Sequence, residues 1–126
     1  MKEIVEKLLE IEKRTSKEKG GYELFALFLR EGSANKWDLL VSAQWINKNK
    51  EEALKYLSSI LQKELPLSEL ILISRIVLIE DGNPSLLALQ KAINVEHGAA
   101  EVKESDFFGL QIKHAYLITS KRVQAA

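Results

Sequence analysis

The feature that most constrains the fold is the stretch from Glu69 to Glu80, ELILISRIVLIE, an apolar run interrupted at its centre by Ser74 and Arg75. In a strand, successive side chains point to opposite faces of the sheet. Both faces of this stretch are then apolar, one carrying Leu70, Leu72, Ile76 and Leu78 and the other Ile71, Ile73, Val77 and Ile79. This pattern is typical of a central strand covered on both sides, and we predict one here.

Arg75 is the polar exception on one of these apolar faces. An unpaired buried charge is very costly, so we expect Arg75 to bind an acceptor. Asp38 and His114 are likewise polar residues inside apolar runs. An arginine held by a carboxylate beside a histidine can bind anions or carbonyl groups. Arg75, Asp38 and His114 are therefore candidate ligand-binding residues; the alternative is that Arg75 pairs with Asp38 or a glutamate for structural reasons alone.

Three helices are predicted from periodicity and capping signals. Residues 2–15 form an amphipathic helix with an apolar face. A second helix begins after Asn47 or Asn49 and ends at Pro66, and a third begins with Asn83 as the N-cap and Pro84 as the first helical residue, ending near Asn94.

A β-hairpin is predicted between the first two helices. The runs YELFALFLRE and KWDLLVSAQW are separated by the turn-prone residues 32–35. Pairing Glu31 with Lys36 fixes a register in which Arg30 faces Trp37, an arrangement that favours a cation–π contact. That register also places on one face the side chains of Tyr22, Leu24, Ala26, Phe28, Leu39, Val41, Ala43 and Trp45.

The resulting element order is α-β-β-α-β-α-β-β, in which residues 101–104 give a doubtful strand and residues 110–120 a better one. This order predicts a single α+β domain over residues 1–126, with a mixed sheet of four to five strands packed against three helices and a flexible tail at 121–126. The connection from the second strand to the central strand is long enough for a parallel crossover. Three helices leave part of the sheet uncovered, which favours association, and we predict a homodimer.

Composition narrows the classes of function. The chain has 18 basic and 18 acidic residues, so it lacks the basic surplus typical of nucleic-acid binders. It has no cysteine, which excludes disulfides and thiolate chemistry and favours a cytoplasmic location. Its apolar runs are shorter than the ~20 residues that a membrane span needs, and the amino terminus has no signal-peptide core. The glycines match neither a P-loop nor a dinucleotide fingerprint, so we expect no cofactor and no metal.

One catalytic alternative rests on Asp38 together with Glu101 and Lys103. These are the elements of a Mg²⁺-dependent nuclease site, in which two carboxylates hold the metal while the lysine positions water. Short Glu-x-Lys patterns are frequent, however, in a chain with 29% charged residues. The prediction is therefore a non-catalytic binding or accessory protein that acts through protein–protein association, with an anion-binding protein or enzyme, and more remotely a nuclease, as the alternatives.

Overall fold

The computed structural model describes residues 2–32 and 34–122 and confirms an α+β fold with one five-stranded mixed sheet. The strand order is β3-β2-β1-β5-β4, with β3 parallel to β2 and the other neighbours antiparallel. The helices are α1 (Lys2–Lys19), α2 (Gln44–Lys48), α3 (Lys50–Glu64), α4 (Leu67–Leu70) and α5 (Pro84–Ala92); the strands are β1 (Leu24–Arg30), β2 (Trp37–Ser42), β3 (Ile73–Leu78), β4 (Ala100–Phe107) and β5 (Leu110–Ser120). Part of the predicted tail, residues 123–126, lies outside the described residues.

The predicted capping signals set the starts of the two longer internal helices. The side chain of Asn49 accepts from the N–H of Glu52 at the start of α3. Asn83 accepts from the N–H groups of Ser85 and Leu86, and Pro84 opens α5. Both caps satisfy backbone donors that a helix end leaves without partners. No helix in the described part of the chain has the length and apolar character to cross a membrane.

The central strand is β1, and its residues are buried on both faces of the sheet. We call the two faces the α1 face and the α5 face. The α1 face is covered by α1, α2 and α3, and its buried sheet residues include Phe25, Leu27, Leu29, Trp37, Leu39 and Val41. The α5 face is covered by α5 and the turn between β4 and β5, and its buried residues include Leu24, Ala26, Phe28, Leu40, Leu86 and Leu89.

The prediction of a central strand at Glu69–Glu80 was wrong in position. The first part of the run follows Pro66 and forms α4, and the remainder forms β3, which is the edge strand beside β2. Ser74 and Arg75 are exposed, while the apolar residues of β3 are half-buried. Periodicity reported the apolar character of both faces correctly, but it carries no information on where a strand lies in the sheet.

The predicted hairpin register was wrong by one residue. Phe28 pairs with Asp38, Leu27 with Leu39 and Phe25 with Val41. A shift of one residue moves a whole strand's side chains to the other face, because the side-chain period is two. Trp37 therefore lies on the α1 face and Arg30 on the α5 face. The sheet separates the two side chains, so the predicted cation–π contact is wrong. Trp45 leaves the sheet altogether and lies in α2.

The β4–β5 hairpin completes the α5 face. The doubtful strand at 101–104 is a full strand, β4, paired with β5 along its length. Its turn carries Phe108 and Gly109 at positive φ, and it brings Phe107 and Phe108 within 5.7 and 6.1 Å of the Phe28 ring. These two rings cover the part of the central strand that the nine-residue helix α5 does not reach.

Substitutions on α3 test the placement of its buried face. Leu57 is 1% exposed and Leu54 on the same helix is 40% exposed. We expect Leu57→Ala to lower the free energy of unfolding by about 2–5 kcal/mol, because it leaves a cavity in the core. Leu54→Ala, the matched control, should cost about 1 kcal/mol or less. Urea denaturation of both variants measures the difference; equal costs would contradict this helix orientation.

Candidate functional site

A buried carboxylate, Asp38, lies between two arginines on the α5 face. Its side chain is 5% exposed, against 36% for Arg30 and 54% for Arg75. Arg30 Nε donates to Asp38 Oδ2 at 2.8 Å. Arg75 Nε donates to Oδ1 at 3.2 Å and its Nη2 lies 3.4 Å from Oδ2. The buried charge is thus the carboxylate, and its two cationic partners reach toward solvent.

The strand pairing explains this cluster. Asp38 and Arg75 are register partners on the parallel strands β2 and β3, so their side chains share a face. Arg30 lies two residues beyond Phe28, the partner of Asp38 on β1. The prediction that Arg75 binds a carboxylate is confirmed. The prediction that Arg75 is buried is wrong, because β3 is an edge strand. Two guanidinium groups thus share one carboxylate.

His114 does not join this cluster. It pairs with Leu29 on the α1 face, so the sheet separates it from Asp38 and Arg75. Its Nε2 lies 2.5 Å from Glu101 Oε2, and its ring lies 4.6 Å from the Tyr116 ring and 5.5 Å from the Trp37 ring. Burial, followed by the neighbouring Glu101 carboxylate, raises the pKa of Tyr116 above its ordinary value. The structure therefore brings together two of the three predicted ligand-binding residues.

The residues of the nuclease alternative are also separated. Glu101 and Lys103 lie on β4 and face the α1 side, because they pair with Tyr116 and His114. Asp38 lies on β2, and two strands stand between β2 and β4. Strands are about 4.8 Å apart, so the backbones carrying these groups are about 14 Å apart. Within residues 2–32 and 34–122, no group of three or more His, Asp or Glu residues has the arrangement of a metal site.

A second buried carboxylate, Glu12, forms a network that the sequence interpretation missed. Glu12 is 0% exposed. Its Oε1 lies 2.6 Å from His97 Nδ1, and its Oε2 accepts from the Thr119 hydroxyl at 2.8 Å. The Thr119 hydroxyl also accepts from the backbone N–H of His97 at 3.2 Å. A signal was present: Glu12 is four residues after Leu8, on the apolar side of α1, where a charge needs a partner.

His97 holds this network in a constrained backbone. Its φ is +52°, a left-handed conformation that non-glycine residues rarely adopt. A carboxylate that orients a histidine is an arrangement that general bases use. Here the same bonds tie α1 to β5 and to the segment between α5 and β4, so each partner of Glu12 serves to join separate elements. Lys121 pairs with Glu96 next to it.

The third feature is a surface of exposed apolar side chains along β3. Among the described residues, the large hydrophobic side chains classed as exposed are Leu54 at 40%, Leu67 at 74%, Ile71 at 59% and Leu110 at 42%. The first three flank β3, on α3, on α4 and just after α4. A groove of about 450 Å³ runs between α3 and β3 and is lined by residues that include Leu54, Leu61, Leu70, Ile73 and Ile76. We call the groove, these three side chains and the outer edge of β3 the β3 surface.

No protein-family model, no curated protein and no solved structure matches this chain. Three features of the structure bear on function: the Asp38 cluster, the Glu12 network and the β3 surface.

A double-mutant cycle tests the shared carboxylate. Arg30→Ala or Arg75→Ala alone leaves Asp38 with one cation, so we expect each to cost about 1 kcal/mol or less. The double variant leaves a buried unpaired carboxylate and should cost about 1 kcal/mol or more beyond the sum of the two. Chemical denaturation of the four proteins measures this coupling. Arg14, which pairs with Glu64, supplies the control, since Arg14→Ala and Arg75→Ala should be additive.

The pH dependence of stability tests the burial of Tyr22. Burial is the main cause that raises the pKa of Tyr22 well above its ordinary value near 10; the hydrogen bond to Thr15 opposes the shift, and Tyr56 and then Glu12 add to it. Above pH 10 the unfolded state loses this proton and the folded state keeps it. The free energy of unfolding should then fall, by up to about 1.4 kcal/mol per pH unit. Tyr22→Phe should reduce this slope between pH 9.5 and 11; an unchanged slope would contradict the assignment.

Proposed function

We propose that the protein is a non-catalytic association module that forms a homodimer through the β3 surface. The observation that carries the proposal is a mismatch between sequence and position: β3 has the composition of a strand covered on both sides, yet it lies at the edge of the sheet. An apolar edge strand with unpaired backbone groups is a template for a further strand. Pairing with a second copy would make β3 an interior strand of a ten-stranded sheet.

The backbone geometry supports a specific pairing. The N–H of Ile79 donates to Val41 O at 2.9 Å, so residue 79 directs its backbone groups at β2. Backbone groups alternate in direction along a strand, so residues 75 and 77 do the same, while Ile76 and Leu78 direct theirs outward. An antiparallel partner related by a two-fold axis perpendicular to the sheet can therefore form two hydrogen bonds between Ile76 and Ile76 of the partner subunit.

The side chains around the edge suit the same arrangement. Because that axis keeps each face of the sheet on its own side, the α3 helices of both copies would lie on the same side of the joined sheet. Leu54 and Ile76 line one groove, so both would be near the partner. Fully burying an exposed leucine contributes about 1.5–3 kcal/mol, so covering the 40% of Leu54 that is exposed contributes about 1 kcal/mol. Two-fold symmetry doubles every such contact.

The two buried carboxylates bear on the role of the protein. Asp38 and Glu12 are buried carboxylates whose partners join separate elements, so their charges are used to hold the fold. This supports an accessory role, in which the dimer presents surfaces to other proteins, over catalysis. The absence of cysteine from the chain suits a reducing compartment, and we propose the cytoplasm.

The test compares two leucines of nearly equal exposure at opposite ends of the sheet. Leu54→Glu introduces a charge into the β3 surface and should raise the dimer dissociation constant at least about 100-fold, because the charge would be desolvated on pairing. Leu110→Glu places the same charge on the β4–β5 hairpin and should leave the dimer unchanged. Sedimentation equilibrium over nanomolar to high micromolar concentrations measures both constants.

Amide exchange identifies the paired edge directly. In the wild-type dimer the N–H groups of Ile76 and Leu78 should be protected, and in Leu54→Glu they should exchange rapidly. A wild-type protein that stays monomeric at high micromolar concentration would overturn the proposal. A dimer that forms equally well in both glutamate variants would overturn the assignment of the interface to β3.

A further inference from the structure

We propose that the dimer axis carries a binding site for a phosphate-type oxyanion, formed by Arg75 from both copies. This inference rests on the proposed function, because one copy supplies only half of the site. It uses Arg75 of the Asp38 cluster, whose side chain is 54% exposed although it is bound to Asp38.

The position follows from the strand register. With Ile76 opposite its equivalent, Arg75 lies opposite Val77 of the partner subunit and diagonal to Arg75 of the partner subunit. Residues that are diagonal neighbours on adjacent antiparallel strands have backbones about 7–8 Å apart, and their side chains share a face. Both arginines then lie on the α5 face of the joined sheet, on either side of the axis. A tetrahedral oxyanion between them can accept hydrogen bonds from both guanidinium groups.

The donors are held in place by Asp38. A guanidinium group has five N–H donors in a planar fork. Arg75 directs Nε and Nη2 at Asp38, and its other three N–H donors have no acceptor within the described residues. Since 54% of the Arg75 side chain is exposed, these donors are accessible to a ligand. The carboxylate thus restricts the orientation of the fork before an anion binds, which reduces the entropy lost on binding.

The charge balance selects an anion. The two-fold axis brings two exposed Arg75 guanidinium groups together, one from each copy. In an empty site the two Arg75 groups repel each other and weaken the dimer. A divalent oxyanion neutralises this charge, and its geometry matches bidentate donation by arginine better than a spherical halide does. Anion binding and dimerisation should therefore stabilise each other.

Sedimentation equilibrium in inorganic phosphate tests this coupling. Phosphate replaces chloride stepwise at constant ionic strength and pH. A parallel series with succinate tests whether a dicarboxylate has the same effect as phosphate. When phosphate exceeds its own dissociation constant tenfold, the wild-type dimer dissociation constant should fall about 11-fold. Arg75→Gln should dimerise without phosphate at least as well as the wild type, and phosphate should no longer change its dissociation constant. Arg122→Gln removes an equal charge elsewhere and should respond as the wild type does.

The outcomes separate this inference from the proposed function. If the wild type dimerises through β3 but neither phosphate nor succinate changes its dissociation constant, the anion site is overturned and the association stands. An equal response of Arg75→Gln and wild type to the anions overturns the site as well. If the protein remains monomeric with and without anions, both proposals fail. Succinate acting alone would replace the phosphate assignment with a dicarboxylate.

Discussion

The fold depends on the burial of β1 on both faces. Six of the seven residues of this strand are classed as buried, so apolar layers are needed above and below it. The α1 face obtains its layer from α1, α2 and α3, whereas the α5 face has one short helix and must add Phe107 and Phe108 from the β4–β5 turn. The helices and the β4–β5 turn are therefore placed over β1. The edge strand β3, which lies beyond β2, receives less cover.

The two buried carboxylates determine how these layers are joined. Asp38 links three adjacent strands through Arg30 and Arg75, and Glu12 links α1 to β5 and to the segment containing His97. A buried charge is costly unless its hydrogen-bonding capacity is met, so each carboxylate favours the one arrangement that brings its partners together. A different strand register or a different docking of α1 would leave a buried carboxylate without its partners, at a cost of several kcal/mol.

The class and element order could be predicted from the sequence because they depend on local signals. Asn49, Asn83 and Pro84 set helix starts through bonds within a few residues. The pairing of Arg75 with Asp38 followed from the cost of a buried charge. The hairpin register, in contrast, depends on the conformation of the turn, and a one-residue difference exchanged the faces of β2. His114 and Glu12 needed three-dimensional information, since their partners Glu101 and His97 are distant in sequence or on another element.

The position of β3 shows most clearly what a periodic pattern can and cannot tell. Apolar side chains on both faces indicate that a strand is covered on both faces in its working state. The cover can come from the same chain or from a partner. In the proposed dimer, β3 becomes the interior strand that the run from Glu69 to Glu80 predicts, so the sequence pattern and the edge position no longer conflict. Arg75 is then the polar interruption that such an edge requires: an exposed charge opposes indiscriminate pairing of flat apolar strands. In the proposed symmetric dimer an anion bound between the two Arg75 groups balances that charge, whereas a strand that brings no acceptor leaves it unbalanced.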